Sequence, residues 1–243
     1  MFGFWYTTYF EYYNLCPAID LLLQFHEKIT NVKALFFGDI NNNRWEDIQF
    51  SYSNICYVLL AYPQLELLKI RISYYHRFYQ IWRVEFSHIR HEKLKALIIE
   101  GCDITTSVIE EIFKLELPNL EYLELWLDIN DYDVSELNFH NKFPKLKYLG
   151  IHSYNNHSEH IDIYFAIIDS LEIENLVELN LSRGAIQDEA AKYLLNCPAV
   201  RQLDTLDISY NCLTDGMIEK FNQLNIEVIS EKQEPYRYWS AYE

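Results

Sequence analysis

Residues 203–217 read LDTLDISYNCLTDGM. Apolar residues at the first, fourth and sixth positions, Leu203, Leu206 and Ile208, suit a short strand with one buried face. Asn211 and Leu213 follow, and Thr214 precedes an amphipathic stretch, DGMIEKFNQL. The same LxxLxL phrase begins at Val32 (VKALFF), Leu65 (LELLKI), Leu94 (LKALII), Leu120 (LEYLEL), Leu146 (LKYLGI) and Leu176 (LVELNL). Successive copies start 33, 29, 26, 26, 30 and 27 residues apart. A phrase of this form at a period of roughly 20–29 residues marks leucine-rich repeats.

Three copies extend beyond the strand, as LKALIIEGCDI, LVELNLSRGAI and LDTLDISYNCL. A small polar or thiol side chain after the strand bonds the exposed backbone of the turn, which gives Cys102 and Asn211 structural roles. Between strands, Thr105 and Thr106 precede SVIEEIFKLEL and Asp188 opens DEAAKYLLN, each with apolar residues at helical spacing. Pro63, Pro118, Pro144 and Pro198 stop these segments shortly before the next strand. The unit is thus strand, turn, helix, proline, strand, and each unit leaves an apolar side that only its neighbour covers. The predicted fold is α/β, a leucine-rich-repeat solenoid or horseshoe with a parallel concave sheet and convex helices.

Residues 32–229 form the array, with seven repeats and a weak eighth strand, NIEVI, at 225–229. Residues 1–31 carry Phe2, Phe4, Trp5, Tyr6, Tyr9, Phe10, Tyr12 and Tyr13, and read as an aromatic-rich N-terminal cap or as an exposed contact patch. The tail, 230–243, carries Tyr236, Tyr238, Trp239 and Tyr242 and poses the same choice. Residues 73–92 fit the plan worst, and read as an irregular convex connection or an inserted loop.

Half of the 243 residues are hydrophobic, enough for one continuous array. Lys and Arg number 20 against 36 Asp and Glu, a formal charge of −16. Nucleic acid is not an expected partner, because a polyphosphate needs a basic stripe. A basic protein fits better, since an acidic surface steers a cationic partner roughly 10- to 10³-fold faster, although solubility explains negative charge equally well. Five cysteines without CxxC spacing read as reduced thiols in the cytoplasm. MFGFWYTTYF has no basic leader, and no apolar run reaches membrane-spanning length, so no membrane partner is expected.

If positions one, four and six face the core, positions three, five and seven face the concave surface. The third-position row reads Ala34, Leu67, Ala96, Tyr122, Tyr148, Glu178, Thr205. The fifth reads Phe36, Lys69, Ile98, Glu124, Gly150, Asn180, Asp207, and the seventh Gly38, Arg71, Glu100, Trp126, His152, Ser182, Ser209. Candidate partner-binding residues are therefore Glu100, Tyr122, Glu124, Trp126, Tyr148, His152 and Asp207. Aromatic anchors beside carboxylates suit a hot spot that receives Lys or Arg side chains. The alternative is that the aromatics pack on one another across neighbouring strands. Tyr236, Tyr238 and Trp239 of the tail are the second candidate surface.

Catalytic chemistry is not expected. His88 with His91, and His152 with His157 and His160, read as surface histidines in irregular loops, because a zinc site needs three or four converging ligands and an outer shell. Glu110 with Glu111 and Asp131 with Asp133 read as solvated faces. No GxSxG elbow, phosphate loop, HExxH or dinucleotide fingerprint occurs, so neither a cofactor nor a metal is expected. Cys102 and Cys212 are read as turn residues, buried and inert.

The phrases ALFFGDI (34–40), LPNLEYLELWL (117–127), FPKLKYLGI (143–151) and LDTLDISYNCLTDGM (203–217), with the tail SEKQEPYRYWSAYE, resemble a family of bacterial leucine-rich-repeat proteins without assigned activity. The ELWL repeat and the QEP then RY tail are its more specific marks. The resemblance implies the same fold and a bacterial, cytoplasmic protein, and supplies no catalytic residues. Together these readings predict a protein–protein interaction module, specialised as an immunity or antitoxin protein that neutralises a basic bacterial toxin. A housekeeping adaptor or scaffold is the alternative, and a metal-dependent enzyme using His152, His157 and His160 the third.

Overall fold

A computed structural model describes residues 2–3, 16–37, 53–72, 89–101, 110, 112–127, 142–153, 161–169 and 175–233. The strands are β1 (Phe2–Gly3), β2 (Ala34–Phe37), β3 (Leu67–Ile72), β4 (Ala96–Gly101), β5 (Tyr122–Leu127), β6 (Tyr148–Ser153), β7 (Glu178–Asn180), β8 (Thr205–Asp207) and β9 (Glu227–Ile229). They form a single all-parallel sheet in chain order. Between them lie α1 (Cys16–Phe25), α2 (Ser53–Ala61), α3 (Ile161–Asp169), α4 (Asp188–Asn196) and α5 (Asp215–Phe221). Each described helix packs on a sequential neighbour, α1 on α2, α3 on α4 and α4 on α5. The chain is an α/β leucine-rich-repeat solenoid.

The core follows directly from the phrase. Positions one, four and six are buried in all seven copies, from Val32, Leu35 and Phe37 to Leu203, Leu206 and Ile208. Each leucine so buried contributes about 1.5–3 kcal/mol, but only in a stack, because a lone repeat leaves these side chains half covered. The weak strand at 225–229 joins the sheet as β9, with polar Asn225 and Ser230 at positions one and six. The N-terminal segment also enters the array. Phe2 and Gly3 pair with Leu35 and Phe36, and α1 buries Ile19 and Leu22 in the common core. Residues 4–15, with most of the aromatic cluster, lie outside the described residues, as do 73–88, 234–243 and Thr105 and Thr106.

Strand length is set by side chains that compete with the ladder. β7 and β8 have three residues each, whereas β3 to β6 have six. At the end of β7 the Asn180 side-chain Oδ1 accepts the Ser182 N–H at 2.9 Å, and at the end of β8 Asp207 Oδ1 accepts the Ser209 N–H at 2.9 Å. Such local turns divert the backbone from the sheet. Arg183 and Tyr210 come next, with φ of 61° and 56°, and swing the chain toward its helix. Asn211, fully buried, then holds two turns together. Its Oδ1 accepts from Gly184 N and Ile186 N, and its Nδ2 donates to Leu181, Ile208 and Ser209 carbonyls. Gln233 repeats the arrangement one unit later, donating to the Ile208 carbonyl and accepting from Leu213 N.

The turn role expected of Asn211 is thus its own, and Cys212 does not share it. Cys212 stands one residue further on, only half-buried, and burial pushes its thiol pKa up. Cys102 lies outside the described residues. Thr214 caps α5 as its position predicts, accepting the Met217 N–H, while Gln187 precedes α4 without a side-chain cap.

Candidate protein-binding face

The strand register reproduces the rows read from the repeat. Ala34, Leu67, Ala96, Tyr122, Tyr148, Glu178 and Thr205 are successive partners, as are Phe36, Lys69, Ile98, Glu124, Gly150, Asn180 and Asp207. Every residue of both rows is half-buried except Gly150, which is buried. The seventh row lies deeper than alternation alone predicts: Glu100, His152, Ser182 and Ser209 are buried. The turn backbone folds over this row, with Ser153 N bonded to the Arg183 carbonyl and Arg183 N to that of Ser209.

Five of the candidates meet at β5 and β6. The Tyr122 and Tyr148 rings stack with centroids 3.9 Å apart and planes 2° apart. Tyr122 donates its hydroxyl to Glu124 Oε2 at 2.6 Å, and Trp126 donates Nε1–H to Glu124 Oε1 at 2.9 Å. The indole lies 4.7 Å from the His152 ring, which joins the group as its fifth member. His152 Nδ1–H donates to the Ser182 carbonyl at 2.8 Å, leaving Nε2 3.9 Å from Glu124 Oε1. Burial and the Glu124 carboxylate push the Tyr148 hydroxyl up to about 12, and the same causes raise Tyr122 further.

Gly150 makes this packing possible. A β-carbon there would stand 3.0 Å from the Tyr148 ring and 3.1 Å from Glu124 Cγ. The aromatics therefore do pack across strands, and the packed group still presents Trp126 half-exposed on the open face.

Glu100 stands apart from this cluster. The β4–β5 ladder ends at Ile99 with Leu125, and Glu100 pairs instead with Arg71 of β3. Only 5% exposed, its carboxylate binds Lys69 Nζ at 2.6 Å and Arg71 Nε. The cations that sequence reasoning assigned to a partner are here the chain's own. Asp207 sits two strands beyond Gly150 and spends one oxygen on the Ser209 turn. Tyr236, Tyr238 and Trp239 lie outside the described residues.

Two features of the face were missed. Arg183 places its guanidinium carbon 5.8 Å from the Trp126 ring and 5.3 Å from Tyr210. Both residues occupy position eight, where positive φ ends the simple alternation, and the aligned phrases NLSRG and DISYN carried that signal. Second positions form the other feature: Lys33, Glu66, Lys95, Glu121 and Lys147 alternate in sign across five strands. Glu66 bridges Lys33 at 2.8 Å and Lys95 at 2.9 Å, and Lys147 reaches Glu121 at 2.8 Å. These bridges are exposed and worth little individually, but a one-strand slip would oppose like charges.

The described histidines serve structure. His91, 3% exposed, donates Nε2–H to the Tyr62 carbonyl at 3.1 Å and accepts Leu94 N at Nδ1. Tyr62 in turn donates to the Leu22 carbonyl at 2.8 Å, linking three repeats. His88, His157 and His160 lie outside the described residues, among which no group of three potential metal ligands converges. Burial lowers the pKa of both His91 and His152. Below the unfolded value of about 6.5 the unfolded chain takes up protons that the fold refuses, so stability falls as pH falls. Melting temperature is expected to drop between pH 7 and pH 5.5, and to drop less in His91→Gln/His152→Gln. An equal slope in the double variant would remove these two groups as the cause.

Neither a family model nor a curated protein matches the chain. Among the described residues no helix is long and apolar enough to cross a membrane. A crystal structure of a protein from Bacteroides fragilis is similar at 25% identity and a TM-score of 0.69, over 91% of this chain. The chain spans 63% of the length of that protein, and the likeness extends to the α/β solenoid, an architecture of protein-interaction modules in general.

Proposed function

We propose that this chain is a non-enzymatic module that binds a protein partner on its concave sheet, centred on Trp126. The observation that carries this reading is the half-exposed indole, held in place by Glu124 and His152. A large aromatic side chain immobilised before binding loses little entropy on contact, which is how hot spots reach high affinity. The finer reading is a cytoplasmic immunity or antitoxin protein for a basic bacterial toxin. It draws on the formal charge of −16, on steering, and on the bacterial family that the ELWL and tail motifs resemble.

Affinity purification from the native cell identifies the partner, and titration with Trp126→Ala then tests the site. A loss of about tenfold or more in affinity is expected. An unchanged Kd would move the contact elsewhere. For the toxin-binding reading the identified partner must be basic, and its affinity must weaken with salt and with Glu124→Lys.

A further inference from the structure

The outward rows change character along the sheet. In β2 to β4 the third and fifth positions are Ala34, Phe36, Leu67, Lys69, Ala96 and Ile98, all half-buried. The cations of this region, Lys69 and Arg71, are engaged by Glu100. In β7 to β9 the same two rows hold Glu178, Asp207 and Glu227, with Glu178 and Glu227 on either side of Thr205 in one row. Among the described residues none of these three carboxylates is in an ion pair. Partial burial, then the neighbouring charges of Asp207 and Glu227, raise the Glu178 pKa. The face thus has an apolar end whose charges are met internally and an acidic end whose charges repel one another.

Building on the concave-face reading above, we infer that the occupant is one amphipathic segment of a protein partner that lies across the strands. Its apolar side chains rest on Phe36, Leu67 and Ile98, and its Lys or Arg side chains on Glu178, Asp207 and Glu227. Charge complementarity fixes the direction, because a cationic end gains nothing beside Lys69 and Arg71 and relieves repulsion at the other end. Strand spacing fixes the length. From β2 to β9 are seven steps of about 4.8 Å, roughly 34 Å, which a helix spans in about 22 residues. Third and fifth positions lie about 6.6 Å apart along a strand, a width that the apolar stripe of one helix covers. Trp126 lies between the two ends and would meet the middle of the segment.

The test uses the full chain and three synthetic peptides of about 24 residues. One carries leucines toward one end and lysines toward the other, the second replaces its lysines by glutamate, and the third replaces its leucines by serine. The first is expected to bind at least about tenfold more tightly than either other peptide. Glu178→Lys/Glu227→Lys and, separately, Ile98→Lys should each weaken it about tenfold or more, with circular dichroism confirming the fold. Leu67→Gln replaces Ile98→Lys if that variant misfolds.

Failure to bind the first peptide at about 1 mM overturns the inference. So does equal affinity for the serine peptide, or self-association of the chain through this face in place of peptide binding. If Trp126→Ala abolishes binding while the end variants leave it intact, this inference fails and the central reading stands. If the end variants matter and Trp126→Ala does not, the central reading fails instead.

Discussion

Asn211→Leu is expected to destabilise the protein by about 3–5 kcal/mol, a loss that urea titration followed by circular dichroism would read as a lower midpoint. The side chain is fully buried and makes five hydrogen bonds to main-chain groups of two successive turns. Leucine keeps the same branched set of four side-chain heavy atoms and is bulkier, so the cost is not a cavity. It comes from the N–H groups of Gly184 and Ile186 and the carbonyl of Leu181, which have no other partner among the described residues, and from the weakened carbonyl contacts of Ile208 and Ser209. Each buried group left unmet costs about 1–3 kcal/mol, and shared relaxation keeps the total below the sum. The damage should be local first, because a solenoid is held by nearest-neighbour interfaces. Hydrogen exchange would then show β7 to β9 opening while β3 to β6 stay protected. Gln233→Leu, with the same chemistry at the last described turn, should cost less, since Gln233 is half-buried. A variant at Asn211 within about 0.5 kcal/mol of the parent would contradict this account.

The core and register were legible because every repeat opens its strand with the same phrase. One alignment of LxxLxL fixes which side chains are buried and, in a parallel sheet, which residue stands beside which. Tyr122 beside Tyr148 and Trp126 beside His152 follow from that alone. What escaped has specific causes. β1 offers only the short phrase MFGF, too little for a period, and its helix begins beyond a stretch without repeat spacing. Arg183 and Tyr210 stand at position eight, where strand alternation has ended; neither residue type favours φ above zero, and only the aligned phrases NLSRG and DISYN mark the turn. The burial of Glu100 is a question of charge rather than pattern. Its row places it beside Arg71, and Lys69 and Arg71 of the adjacent strand occupy its carboxylate before any partner can.

That pairing leads to the second large effect, Glu100→Ala, for which a destabilisation of about 2–3 kcal/mol is expected. Breaking a buried ion pair from one side usually costs about 3–5 kcal/mol, because the remaining charge has no counter-ion. The partners here are more accessible: the Lys69 side chain is 26% exposed and that of Arg71 33%, so both can turn partly to water and the cost is discounted. Glu100→Gln should fall between parent and alanine, since the amide oxygen still accepts from one cation but carries no charge. Lys69→Met/Glu100→Leu/Arg71→Met, which removes all three charges and fills the space, should recover much of the loss, because apolar replacements of buried ions are often neutral. Chemical denaturation of the four proteins decides the matter. If the triple variant is no more stable than Glu100→Ala, the penalty lies in lost packing rather than in stranded charge. The same series tests the polarity of the face, since Glu100→Ala removes the carboxylate that meets Lys69 and Arg71 at its apolar end. A cationic segment docked toward Glu178, Asp207 and Glu227 should then hold its direction more strictly, whereas one docked the other way would be repelled outright.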